Sequence, residues 1–161
     1  MKVTIELDFS RVVRWLLAAV LLLASVSKLA NPQEFYASIV AYQLPLALPL
    51  VRLVAVVLPW LELLCGVLLL VGGARQAALA WTVVLFASFV LATGQAWARG
   101  LNISCGCFHL DFLANPGLVK LIESIPFAFF RAALLFAGAI YLFRQQSRRQ
   151  SVSIEATSPS S

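Results

Sequence analysis

Charge is scarce in this chain of 161 residues: charged side chains make up 12% of it, against 61% hydrophobic. Soluble domains carry about twice that charge and less apolar material, so a fully water-facing surface is excluded and lipid is the expected solvent. Period-two alternation is lacking as well. The apolar runs are continuous and rich in Leu and Ala, which excludes the wall of a membrane β-barrel and leaves helices. No basic stripe accompanies the net charge of +5; Lys and Arg are scattered and no nucleic-acid motif is present, so nucleic acid is excluded as a partner. With one histidine and three cysteines, any redox or metal chemistry falls to very few side chains. No internal repeat stands out.

What is there is four long runs almost free of charge, at 12–30, 50–72, 77–98 and 125–143. Each is close to the roughly 20 residues that cross a hydrocarbon core as a helix. The expected fold is therefore all-α: an integral membrane four-helix bundle in a domain 1–143, with a tail 144–161, rich in Ser, Gln and Arg, expected to be disordered. Lys2, Arg11, Arg14, Arg75, Arg144, Arg148 and Arg149 fall on one side and Lys28, Arg52, Arg99 and Lys120 on the other, with Arg131 inside the membrane. The basic excess puts both termini in the cytoplasm. A cleaved signal peptide would also start with Lys2, Arg11 and Arg14 and end in small residues. The run is long for that role, and three further spans need a helix to pack on, so retention as the first helix is expected.

Asn31-Pro32 stops the first helix, and Phe35, Ile39 and Tyr42 recur as on one face of a short helix, expected on the membrane surface and ended by Pro45 and Pro49. Pro59 falls inside the second span, where it removes a ladder bond and should kink the helix. Gly72-Gly73 makes a short turn, so the second and third spans are antiparallel neighbours. The connection 99–124 is the longest, and loops of that length are often functional; Asn115-Pro116 reads as an early start of the fourth helix, with a bend at Pro126.

That loop contains Cys105-Gly106-Cys107. The topology places it outside, where disulfides persist. A disulfide across one intervening residue closes a tight, strained ring of the easily reduced kind, and Gly106 permits the backbone angles it needs. As a structural crosslink it would close almost no loop, so Cys105 and Cys107 are the candidate redox pair, with His109 as a supporting proton carrier. The bland alternative is two loop cysteines bonded for stability and a surface histidine. Cys105, Cys107 and His109 also suit Cu(I) or Zn(II), but a structural zinc site wants four ligands, so no metal site is assigned. Inside the membrane, Glu62 lies roughly 18 Å deep, Arg131 about 9 Å and Lys28 about 3 Å from the outer ends of the expected spans. A charge at that depth needs a partner. Arg131 is the expected partner of Glu62, and Lys28 is expected to snorkel to the interface; a pair that only fixes packing is the alternative. Cys65, one turn from Glu62, reads as a packing residue that gains interest only if the loop folds back. Trp15, Trp60, Trp81 and Trp97 read as interfacial or packing anchors. Asn102-Ile103-Ser104 matches a glycosylation acceptor of little weight here.

Arg14, Ser27-Lys28-Leu29, Phe35, Tyr42, Leu58-Pro59-Trp60-Leu61-Glu62-Leu63, Gly66, Cys105-Gly106-Cys107-Phe108 and Arg131, in this order and spacing, resemble the MauE branch of the DoxX-like membrane proteins. The resemblance runs from about Arg11 to Phe143. It implies a multi-pass bundle in the bacterial inner (cytoplasmic) membrane, associated with periplasmic thiol redox, supporting maturation of the disulfide-rich small subunit of methylamine dehydrogenase and working with a thioredoxin-like partner. His109 departs from the pattern, in which Gly is expected after Cys-Gly-Cys-Phe.

The expected function is thiol-disulfide exchange between Cys105/Cys107 and a periplasmic thioredoxin-like protein or cysteine-rich client, with a membrane quinone as electron acceptor. If the chain is an enzyme, it is the component of a thiol-disulfide oxidoreductase. A non-enzymatic assembly factor and a soft-metal (Cu/Zn) carrier are the alternatives.

Overall fold

In a bilayer there is no water to satisfy the backbone, so every N–H and C=O has to find its partner within the segment, and continuous apolar runs become helices. The computed structural model describes residues 2–45, 47–72, 74–101 and 124–157, with side chains between residues 9 and 148 of these. Among the described residues the elements are α1 (Lys2–Ala30), α2 (Pro32–Ala41), α3 (Leu48–Val71), α4 (Arg75–Ala98) and α5 (Ile125–Thr157). Four stretches are long and apolar enough to cross a membrane: Phe9–Ala30, Leu48–Val71, Arg75–Ala98 and Ile125–Arg148. At 22 or 24 residues each, they reach about 33–36 Å, enough for a core about 30 Å thick.

The outer surface is as apolar as the interior. Trp60, Leu91 and Leu134 are 59%, 73% and 74% exposed, while Ser25, Thr82 and Thr93 are buried. Such a surface would aggregate in water, and lipid is the solvent that accepts it. The chain is a multi-pass membrane protein. Its intramembrane hydroxyls bond back to their own helices, Thr82 to the Ala78 carbonyl at 2.7 Å and Thr93 to that of Phe89 at 2.7 Å, so they present no unmet donor to lipid.

α1 packs chiefly on α3 and α4 chiefly on α5, and contacts of α3 with α4 and of α1 with α5 close the ring. A Cβ added to Gly66 would lie 2.9 Å from Cγ and Cδ2 of Leu22 and 3.4 Å from the Ala18 carbonyl; the missing side chain lets α1 and α3 approach closely. The shared core holds Leu17 and Leu21 of α1, Cys65 and Leu69 of α3, Leu85 and Phe86 of α4, and Leu135 and Ala139 of α5. Gly72 ends α3 at φ +80°, its N–H donating to the Leu68 carbonyl at 2.9 Å; this left-handed cap lets α4 start three residues later, at Arg75, antiparallel to α3.

Three readings of the sequence change. Phe35, Ile39 and Tyr42 do not lie on the membrane surface: all three are buried, and Phe35 and Ile39 pack with Val51, Val54, Ala55 and Leu58 of α3. Those four recur at i, i+3, i+4 and i+7, so α2 runs along the first half of α3 and continues the course of α1. Asn31-Pro32 interrupts that course without turning it: Asn31 N–H still bonds the Ser27 carbonyl at 3.2 Å and Phe35 N–H the Asn31 carbonyl at 3.1 Å, whereas Pro32 has no N–H to offer the carbonyl of Lys28. Pro49 sits in the first turn of α3, where its missing donor costs nothing. Finally, the last helix continues through Thr157, past the expected end at Phe143. Extending a formed helix adds one bond per residue fixed and needs no core of its own. The expected start at Asn115-Pro116 lies outside the described residues.

The end of the bundle where α4 stops and α5 begins carries the long loop. There Tyr42, Ala96 and Ile125 form a buried cluster with Leu44 and Leu101 packed against it. Gln95 Nε2 donates to the Tyr42 carbonyl at 3.1 Å, and the Arg99 guanidinium donates to the carbonyl and Oε1 of Gln43 at 3.1 Å each. Helix α2 is thereby fastened to the base of the loop.

Candidate functional site

The Lys28–Glu62 pair is the only salt bridge among the described residues. Lys28 Nζ donates to Glu62 Oε1 at 2.5 Å, and both side chains are 1% exposed. Their meeting follows from the broken helix: fourteen residues separate Leu48 from Glu62 and fourteen separate Lys28 from Tyr42, so both stand about 21 Å below the loop end. Lys28 therefore does not snorkel. The end of α1 is not the membrane boundary, because the chain climbs a further ten residues as α2 before leaving the bundle.

The ammonium group also faces two rings, Phe35 of α2 at 5.0 Å and Phe89 of α4 at 4.5 Å from their centroids. Both lie within the range at which a ring quadrupole attracts a cation, and the attraction is strongest where water is excluded. Three helices and a short fourth thus converge on one lysine. Glu62 is less completely satisfied, because its Oε2 is buried without a hydrogen-bond partner among the described residues. A buried carboxylate oxygen left so is costly.

Glu62 lines a cavity between α1, α3, α4 and α5, walled by Leu85, Phe86, Phe89, Leu135, Thr93 and Arg131 among others, with about 40 Å³ of water-accessible space. That admits a small number of waters. It is well short of the roughly 150 Å³ that holds one benzene ring. Arg131 and Glu62 thus border the same cavity, but the expected Arg131–Glu62 ion pair is not formed; Lys28 takes that place. Arg131 stands with its guanidinium carbon 6.0 Å from the Phe127 ring. Thr93 and Ala128 of the wall lie one turn from Ala96 and Ile125, so the cavity begins directly beneath the base of the loop.

Of the residues singled out from the sequence, the structure brings Lys28, Glu62 and Arg131 to one place. Cys65 is a free thiol, buried at 3% exposure in the hydrophobic core, one turn from Glu62 but not in the cavity wall. Cys105, Cys107 and His109 lie outside the described residues. Phe35 and Phe89 were missed as partners of Lys28. For Phe35 a signal existed: Leu17, Leu21, Ala24, Lys28, Phe35, Ile39 and Tyr42 follow one another at helical spacing through the Asn31-Pro32 break, and all are buried. Among the described residues no three of His, Cys, Asp and Glu are grouped to hold a metal ion.

Comparison with known proteins agrees with this architecture. No solved structure matches the chain. A methylamine utilization protein MauE of Methylophilus methylotrophus is 39% identical over 125 residues, covering 68% of this chain and 64% of the relative; the match thus takes in less than two thirds of that relative's length. The family model described as methylamine utilisation protein MauE matches residues 7–144, from the start of the first span through every element that builds the ion pair and the cavity, and the chain belongs to the MauE family.

Proposed function

We propose that this chain is an inner-membrane component of methylamine utilisation, supporting thiol-disulfide exchange at Cys105 and Cys107 during maturation of a periplasmic, methylamine-dehydrogenase-like client. Family membership supplies the pathway. The observation that supports the site is the base of the loop, where Tyr42, Ala96 and Ile125 lock α2, α4 and α5 together and hold both ends of the segment containing the cysteines at the rim of the bundle. The basic excess supports an orientation with both termini in the cytoplasm and that rim facing the periplasm.

In the exchange, a thiolate of a client or thioredoxin-like partner attacks the Cys105–Cys107 disulfide. The mixed disulfide resolves on the partner's second thiol, so one S–S bond breaks and one forms, and two electrons and two protons pass to Cys105 and Cys107. If the chain is catalytic, it is a thiol-disulfide oxidoreductase component. A membrane quinone is the acceptor for reoxidation. The cavity of about 40 Å³ does not fit a quinone ring.

The test is a Cys105→Ser, Cys107→Ser double variant assayed for client maturation. The expected result is loss of mature client with normal amounts of the membrane protein; full maturation sinks the redox reading. That second outcome belongs to a non-enzymatic assembly platform, which the complete burial of Lys28 and Glu62 favours, since a sealed ion pair can serve packing alone. Single-cysteine variants that trap a mixed disulfide identify the partner.

A further inference from the structure

We infer that the end of the bundle opposite the loop binds the phosphate group of an anionic membrane lipid. Arg11 and Arg14 of α1, Arg75 at the start of α4, and Gln145 and Gln146 of α5 border a cavity of about 460 Å³. Among the described residues no acidic side chain lines it. Arg14 lies close enough to Arg75 and Arg11 to be repelled by both charges, and among the described residues none of the three has an acid partner. Three like charges gathered with no counter-charge among the described residues disfavour the fold unless an anion joins them.

A general basic excess at this end would satisfy the positive-inside rule with the arginines spread outward; convergence on a cavity requires more. Arg75 is also held in place. A Cβ on Gly72 would lie 2.8 Å from its Nη2 and 2.9 Å from its Nε, so the guanidinium is folded over the glycine, against the negative end of the α3 dipole. That contact accounts for Arg75 as a cap and leaves Arg11 and Arg14 unexplained.

The chemistry fits phosphate. Guanidinium groups bind its oxygens in pairs of parallel hydrogen bonds, and two glutamine amides add neutral donors. The setting fits lipid rather than a soluble anion. The cavity has Leu69, Leu79 and Leu142 in its wall and Trp15 beside it, 58% exposed, the amphipathic ring that settles at headgroup level. Basic pockets between transmembrane helices on the cytoplasmic side are headgroup sites. Three cations favour a headgroup with two phosphates, such as cardiolipin, over one with a single charge.

The full-length chain is purified in detergent and offered cardiolipin, phosphatidylglycerol or phosphatidylcholine at equal mole fraction, and retained lipid is counted by native mass spectrometry. Cardiolipin is expected to be retained at least tenfold over phosphatidylcholine. Arg14→Gln should lower its retention about fivefold and Arg14→Gln with Arg75→Gln about 25-fold, at roughly a factor of five for each basic group lost. Arg148→Gln, at the same end but outside the cavity, should change nothing. Equal retention of phosphatidylcholine by the unaltered chain overturns the inference whether or not the variants fold. So does an equal loss in Arg148→Gln, which marks diffuse attraction, or binding of inorganic phosphate without discrimination among lipids, which marks a soluble anion.

Discussion

Removing one member of the Lys28–Glu62 pair leaves the other charged in a place where both side chains are 1% exposed. Breaking a buried pair in this way costs about 3–5 kcal/mol. The two single variants should not be equal. In Glu62→Gln the ammonium group keeps Phe35 and Phe89 at 5.0 and 4.5 Å, each worth about 0.5–2 kcal/mol, so the loss belongs near 3 kcal/mol. In Lys28→Met the carboxylate loses its Oε1 partner while Oε2 already lacks one, so the loss belongs near 5 kcal/mol. Lys28→Met with Glu62→Leu replaces the pair by apolar groups of similar volume, which ranges from neutral to about 1–4 kcal/mol stabilising. With Glu62→Leu as the second single variant, which leaves the same unpaired ammonium group and belongs near the same 3 kcal/mol, additivity would give the double variant a loss of about 8 kcal/mol, so the cycle separates the two outcomes widely. The assay is unfolding in mixed micelles with increasing dodecyl sulfate, followed by helix content and tryptophan emission. A single variant as stable as the unaltered chain, or a double variant showing the summed loss, refutes the reasoning. The double variant also divides packing from chemistry: a stable chain that no longer supports client maturation assigns the pair a role beyond holding α1 to α3.

After mild reduction of intact cells, an impermeant thiol reagent is expected to label Cys105 and Cys107 and to spare Cys65, which is 3% exposed in the core; labelling that appears only in broken cells removes the proposed orientation. Gly66→Val places a branched side chain where Leu22 is 2.9 Å from the first added carbon and should cost about 1–3 kcal/mol by overpacking. The same micelle titration reads it, and an unchanged midpoint argues against close α1–α3 contact.

The four spans were legible because lipid imposes a simple rule: continuous apolar runs of sufficient length, with Pro and Gly at their ends. Depth was harder to read. Counting Lys28 from Ala30 treats the Asn31-Pro32 break as the membrane boundary, whereas a proline removes one donor and does not oblige the chain to leave the bundle. The buried face gave the better clue, since Lys28 shares its spacing with Phe35, Ile39 and Tyr42 on the far side of the break. Glu62 was correctly singled out as a group needing a partner, because its position inside an apolar run is visible in one dimension. Which cation reaches it depends on the register of α1 and α2 against α3, which is set by packing at Gly66 and along Val51–Leu58. The ring of Phe89 was not foreseeable for the same reason: it comes from α4, and no periodicity within one helix announces a neighbour from another.

The order of synthesis gives the Lys28–Glu62 contact a further consequence. The ribosome delivers the lysine 34 residues before the glutamate, and a lone charge released into hydrocarbon carries a penalty of about 2.5–3.5 kcal/mol. The opening helix is therefore a poor candidate for independent release from the translocation channel. It should wait there until α3 emerges, and the two should enter lipid as a ready-neutralised hairpin.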